Sequence, residues 1–296
     1  MMKLKLYASV LVMVMTIAQA SEASRCDLIP KNDLKIPVGA NFYGGIDEDT
    51  FNRVIDNVYS FYAPIVAERG GKLKINRLWS DATVNASSER VRKNWIVNMY
   101  GGLARHHATT EDGFALVLCH ELGHHLGGYP RSGFGEDWAA NEGQADYFAT
   151  MKCFRRVFEN EDNASAVAQM QVPEIVKTKC AGTFRSPAQF NLCIRDSMTG
   201  RSLAYLLWSI DNDKRAHLAT APEPAFDTPD PTVVDEINDD HPAAQCRLDT
   251  YFNGSVCSKD FNEDFGQDDP VTGACAMENG DKLGYRPLCW YKPKSD

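Results

Sequence analysis

The chain has 296 residues, 31 basic and 40 acidic, a formal net charge of −9 and 44% hydrophobic residues. That length and apolar content suffice for one large packed domain or two small ones. The acidic balance argues against nucleic acid or an anionic membrane surface as a partner.

Residues 1–20 read as a secretory signal: Lys3 and Lys5, an apolar run from Leu6 to Ile17, then Ala18-Gln19-Ala20 ahead of a cleavage point. The run falls short of the roughly 20 residues that a membrane-spanning helix needs, and no later stretch does better. The expectation is export, into a periplasm or out of the cell, without a membrane span. In such a compartment the nine cysteines should form disulfides, and an odd number leaves one over. Cys119, within an apolar run beside a histidine motif, is the expected free thiol. Cys180 with Cys193, and pairs among Cys246, Cys257, Cys275 and Cys289, are expected from proximity.

Residues 21–50 are rich in Gly, Pro and polar side chains and read as an irregular arm. Phe51, Val54, Ile55, Val58, Tyr62 and Ile65 recur at helical spacing, which predicts a helix to about Ala67 that Pro64 kinks or shortens. Lys72–Trp79 alternates polar and apolar residues, as a half-buried strand does, and Asn94–Tyr100 is a second strand. Thr109 with Asp112 gives a capping-box-like start to an apolar helix from Phe114 to Leu126, stopped by Gly127-Gly128. A third helix is expected over Ala139–Phe158, a short one with a cysteine-bracketed turn over 165–200, and a helical core over Leu203–Ile210. Five prolines and many acids make Ala221–Pro242 a long loop. Ala243–Tyr251 is expected to be helical, and residues 256–296 form a stapled, loop-rich tail.

The chemistry concentrates in His120-Glu121-Leu122-Gly123-His124. Side chains four apart on a helix lie on one face, so His120 and His124 can present imidazole nitrogens to one zinc ion. Glu121 is rotated about 100° away, where it can reach a water as general base without ligating. A buried set of this kind without a metal would be costly. His125 faces away from the pair and is read as structural, as are His106 and His107. Pro130 stands where the metzincin signature has its third histidine, so that branch is excluded. Glu142, 18 residues after His124 on a segment that reads as helix, supplies a carboxylate instead. Two histidines, one carboxylate and an open position form the donor set of a catalytic zinc site, one ion per chain. Asp146, one turn beyond Glu142, suits the other ring N–H of a ligating histidine.

These residues resemble the gluzincin metallopeptidases of the CAAX prenyl protease and HtpX-like type. The second motif of that family, Glu-x-x-Ala-Asp, is read as Glu142-Gly143-Gln144-Ala145-Asp146, and its third as His241-Pro242 with Arg247 six residues after the histidine. The likeness spans roughly Asp81 to Tyr251 and points to the soluble branch; the tetratricopeptide tail common there is absent from this sequence. The resemblance implies a zincin-like α+β fold over residues 51–255, mainly helical, with a small antiparallel sheet whose edge strand precedes the zinc helix. It also implies that His241 hydrogen-bonds the developing oxyanion or takes the open metal position, and that Arg247 anchors a nearby carboxylate. The strand Trp95, Ile96, Val97, Asn98, Met99, Tyr100 is expected to be the edge that pairs with an extended peptide or unfolded-protein substrate. The function expected is hydrolysis of peptide bonds; the alternative is a noncatalytic, zinc-stabilised binding or chaperone-like protein.

Overall fold

The computed structural model describes residues 25–40, 44–132, 138–214 and 221–294; the expected signal segment lies outside them. The elements in chain order are β1 (Arg25–Asp27), α1 (Glu48–Glu68), β2 (Lys72–Leu78), β3 (Ala86–Val91), β4 (Asn94–Tyr100), α2 (Gly101–Ala104) and α3 (Glu111–Leu126). There follow α4 (Glu142–Phe148), a π-helical stretch (Ala149–Phe154), α5 (Arg155–Phe158), α6 (Asn163–Ala168), α7 (Glu174–Thr183), α8 (Pro187–Lys214) and α9 (Ala244–Ser255). The architecture is α+β, with the helices packed around α3 and a small sheet on one side.

α1 starts where Asp47 accepts the Thr50 N–H at 2.8 Å, with Glu48 and Asp49 favourably placed in its first turn. Its buried stripe is Phe51, Val54, Ile55, Val58, Tyr62 and Val66. Pro64 does not shorten the helix, which runs through it to Glu68. Pro64 and Ser60, four residues before it, lie on the exposed face, so the carbonyl that loses its partner can turn to water. The start of α3 is displaced by one residue: Thr110, not Thr109, accepts the Gly113 N–H, while Asp112 pairs with Arg195 on α8. From Gly113 to Leu126 every residue of α3 is buried, as expected of a helix that is apolar on all sides.

The sheet order is β1-β3-β4-β2, with β2 parallel to β4 and the other two pairings antiparallel. The expected antiparallel sheet is therefore mixed, and β4 is an interior strand rather than an edge. What hides this in the sequence is β3. Its Ser87 and Ser88 are fully buried polar residues, so the stretch lacks the apolar alternation of a strand.

Cys180–Cys193, Cys246–Cys289 and Cys257–Cys275 are disulfides, in line with the pairs expected from proximity. Cys119 is not the odd cysteine: it is joined to Cys153, which ties α3 to the π-helical stretch. Cys26 is the one outside the four bridges. Helical packing brings Cys119 to a partner 34 residues away, a relation that chain proximity does not reveal. Replacing Cys119 and Cys153 together by alanine is expected to lower the unfolding free energy by about 3–4 kcal/mol, read from urea denaturation of the purified oxidised protein.

Asp196, fully buried on α8, has neither carboxyl oxygen hydrogen-bonded, and the Ser255 hydroxyl donates instead to the Tyr251 carbonyl. Burial pushes its pKa well above the usual carboxylate range. A raised folded pKa means that the native state keeps a proton which the unfolded chain releases above about pH 4, so stability falls as pH rises. Asp196→Asn cannot ionise and escapes that loss. Its stability relative to wild type should climb between pH 4 and 7, measured by denaturation at both pH values.

Candidate metal centre

His120 and His124 stand one turn apart on α3, with ring centroids 4.8 Å apart and edge to face. Each ring is fixed through Nδ1. That of His120 donates to Asp146 Oδ1 at 2.8 Å, and that of His124 to the Ala140 carbonyl at 2.8 Å. Both Nε2 atoms are thereby left as acceptors aimed at one point. Glu142, the first residue of α4, reaches the same point: its Oε2 is 3.4 Å from His120 Nε2 and its Oε1 3.5 Å from His124 Nε2. Asn141 caps α4 by accepting the Gln144 N–H at 2.9 Å, which sets where Glu142 emerges.

The close approach of the two helices depends on Gly123. A Cβ there would sit 2.8 Å from both the Cα and the carbonyl oxygen of Ala145. No side chain fits between α3 and α4 at that level.

His120 Nε2, His124 Nε2 and Glu142 Oε2 are buried without a hydrogen-bond partner among the described residues. Left alone, each such atom costs free energy. Bonds of about 2.1 Å at tetrahedral angles place donor atoms about 3.4 Å apart; one oxygen of Glu142 lies 3.4 Å from His120 Nε2 and the other 3.5 Å from His124 Nε2. This group could hold a metal ion. Burial, reinforced by the His120 charge and opposed by Glu142, brings His124 down to about 4, so its ring is neutral and able to ligate. For His120 burial acts the same way, but the charge and hydrogen bond of Asp146 overrule it and lift the value to about 9, so an ion would bind at Nε2 in exchange for a proton.

Around the donors is a second set of contacts. Arg247 on α9 holds Asp146 bidentately, Nε to Oδ2 at 2.7 Å and Nη2 to Oδ1 at 2.6 Å, and the Tyr251 hydroxyl adds a bond to Oδ1 at 2.7 Å. Burial disfavours the Asp146 charge, but Arg247 and then His120 prevail and hold it below the usual carboxylate range. Arg247 Nη1 also donates to the Leu28 carbonyl at 2.9 Å, anchoring the N-terminal segment.

Glu121 is fully buried and points toward β3. The Ser88 hydroxyl donates to its Oε2 at 2.6 Å, while Oε1 has no partner. Burial raises this carboxyl to about 8. His241 borders the same place, its Nε2 3.5 Å from Glu142 Oε1 and donating to the Asp27 carbonyl at 2.7 Å. A cavity of about 310 Å³ opens here between the 25–31 segment, Asn141-Glu142 and Asp239–His241.

The structure thus brings together His120, Glu121, His124, Glu142, Asp146, His241 and Arg247. It does not bring the Trp95–Tyr100 strand to the site as an edge: its backbone is paired on both sides, by β3 and β2. His125 turns away, stacked between Trp95 and Trp138 with its Nε2 donating to the Ile96 carbonyl at 3.3 Å. Ser88, Tyr251 and the Asp27 carbonyl belong to the site and were missed from sequence. Only Tyr251 carried a signal, being one turn after Arg247 on the same helix face.

No protein-family profile, curated protein or solved structure matches the chain significantly. The site itself is two packed helices that offer a buried two-histidine, one-carboxylate group, with a further carboxylate and a histidine beside it.

Proposed function

We propose that the chain is an exported zinc-dependent endopeptidase of zincin type, acting on extended segments of unfolded proteins. The observation that carries this reading is the convergence of His120 Nε2, His124 Nε2 and Glu142 Oε2, all buried and without protein partners, next to the unengaged Oε1 of Glu121. Two imidazoles with one carboxylate are the donor set of catalytic rather than structural zinc sites. Bound there, zinc would supply a Lewis acid for the scissile carbonyl and bring the pKa of water toward 7.

The chain's own residues do the rest. Glu121, held by Ser88 through one oxygen, takes the proton of the attacking water on the other and passes it to the leaving amine. His241 presents its Nε2–H to the carbonyl oxygen as charge develops there. Asp146, clamped by Arg247 and Tyr251, keeps the His120 ring oriented with Nε2 toward the ion. Four disulfides fit an oxidising, non-cytoplasmic compartment, and no described helix is long and apolar enough to cross a membrane.

The test is metal analysis paired with proteolysis. Protein purified without chelator should carry about one zinc per chain and cleave β-casein in a chelator-sensitive way. Less than a tenth of an equivalent of metal would defeat the site. Full metal with no cleavage would favour the noncatalytic alternative.

A further inference from the structure

Arg25–Asp27 runs along the outer edge of β3 and borders the cavity at the candidate metal group. Cys26 is opposite Ser88 and Asp27 opposite Ser87. The Leu28 N–H donates to the Ala86 carbonyl at 3.0 Å. In an antiparallel ladder alternate residues turn their backbone groups to the neighbour. Cys26 and Leu28 therefore face β3, and Asp27 faces the other way. There its carbonyl accepts the His241 Nε2–H at 2.7 Å.

Directly opposed residues project their side chains from the same face. Cys26 thus shares the face of Ser88, whose hydroxyl holds Glu121. Arg25 and Asp27 share the opposite face, where they bond each other at 2.7 Å. Cys26, Asp27, His124, Glu142 and His241 line one cavity.

This short strand makes three contacts that an extended peptide would make in the reaction proposed above. It adds to a sheet edge, it offers a main-chain carbonyl to His241, and it passes over the face that carries Glu121. The core does not require it to stay. Leu28 and Ile29 are the buried anchors, and the Arg247 bond falls on the Leu28 carbonyl, while the side chains of Arg25 and Asp27 are 41% and 27% exposed.

We propose that the β3 edge is the peptide-binding edge of this protein, and that Arg25–Asp27 is its built-in occupant, a substrate mimic that an incoming extended peptide displaces. The inference rests on the hydrolytic reading only for what happens to the peptide after it is seated. An intramolecular competitor lowers apparent affinity by the fraction of molecules whose edge is open. Releasing the segment should therefore act on KM and leave kcat unchanged.

Two measurements test this. Hydrogen exchange, read by mass spectrometry on the metal-loaded Glu121→Gln protein with β-casein added, should show faster exchange over residues 25–27 and slower exchange over Ala86–Val91. Cys26→Pro, which removes the backbone N–H that faces β3, should lower the KM for β-casein about tenfold at unchanged kcat. The exchange experiment leaves the occupant's sequence intact, so a Cys26→Pro chain that fails to fold does not block the test. Binding with unchanged exchange at 25–27, no binding at all, or a folded Cys26→Pro protein with the wild-type KM would each overturn the proposal. If β-casein displaces the segment but wild type never cleaves it, the peptide edge stands and the hydrolytic reading falls. If wild type cleaves β-casein with residues 25–27 still protected, the reverse holds.

Discussion

Glu121→Gln is expected to lower the turnover of β-casein by about 10²- to 10⁴-fold, the usual contribution of a positioned general base, while zinc content remains at the wild-type level. The amide retains the shape of the carboxyl and can still accept from the Ser88 hydroxyl, but it cannot take up a proton. Glu121 is not among the residues placed to hold an ion, so its replacement should not cost metal. The measurement is an initial cleavage rate beside a metal assay on the same preparation. A variant with wild-type turnover would remove Glu121 as the base, and one that loses its zinc would make Glu121 a ligand.

Arg247→Ala is expected to be the most damaging single change outside the donor set. It leaves the Asp146 carboxylate fully buried with its bidentate partner gone, and breaking a buried ion pair from one side costs about 3–5 kcal/mol. Because Asp146 orients His120, metal affinity should fall as well, by about 10- to 100-fold. Tyr251→Phe removes a single hydrogen bond from the same carboxylate and should cost only about 1 kcal/mol. Denaturation midpoints and competition with a zinc chelator, run on both variants, check the ranking. If Arg247→Ala matched Tyr251→Phe in stability and affinity, Asp146 would not depend on the ion pair.

What the sequence disclosed, it disclosed through periodicity. His120 and His124 share a helix face by spacing alone, and Glu142 and Asp146 share another. Both pairs meet in the structure because α3 and α4 pack side by side. Arg247 was legible only through a motif likeness, since nothing in its neighbourhood announces a partner 101 residues away. The strand β3 was illegible because its buried serines are there for polar contacts, Ser88 with Glu121 and Ser87 with Asn98. Missing β3 put β4 at the edge of the sheet, whereas it is paired on both sides. Cys119 failed for a related reason. An apolar neighbourhood says that a cysteine is buried, not whether another buried cysteine packs against it.

The helix that carries Glu142 and Asp146 is held from the far end of the chain. The Trp290 ring occupies the space over Gly143, where a Cβ would lie 2.2 Å from it. Arg286 donates to Gln144 at 2.6 Å, the Tyr147 hydroxyl donates to the Gly284 carbonyl at 2.6 Å, and Cys289 is joined to Cys246 on α9. A growing chain therefore possesses every proposed ligand once residue 142 has been made, yet lacks the frame around α4 until residue 290 arrives and its neighbour is oxidised. The donors are thus made early and the frame that sets them late.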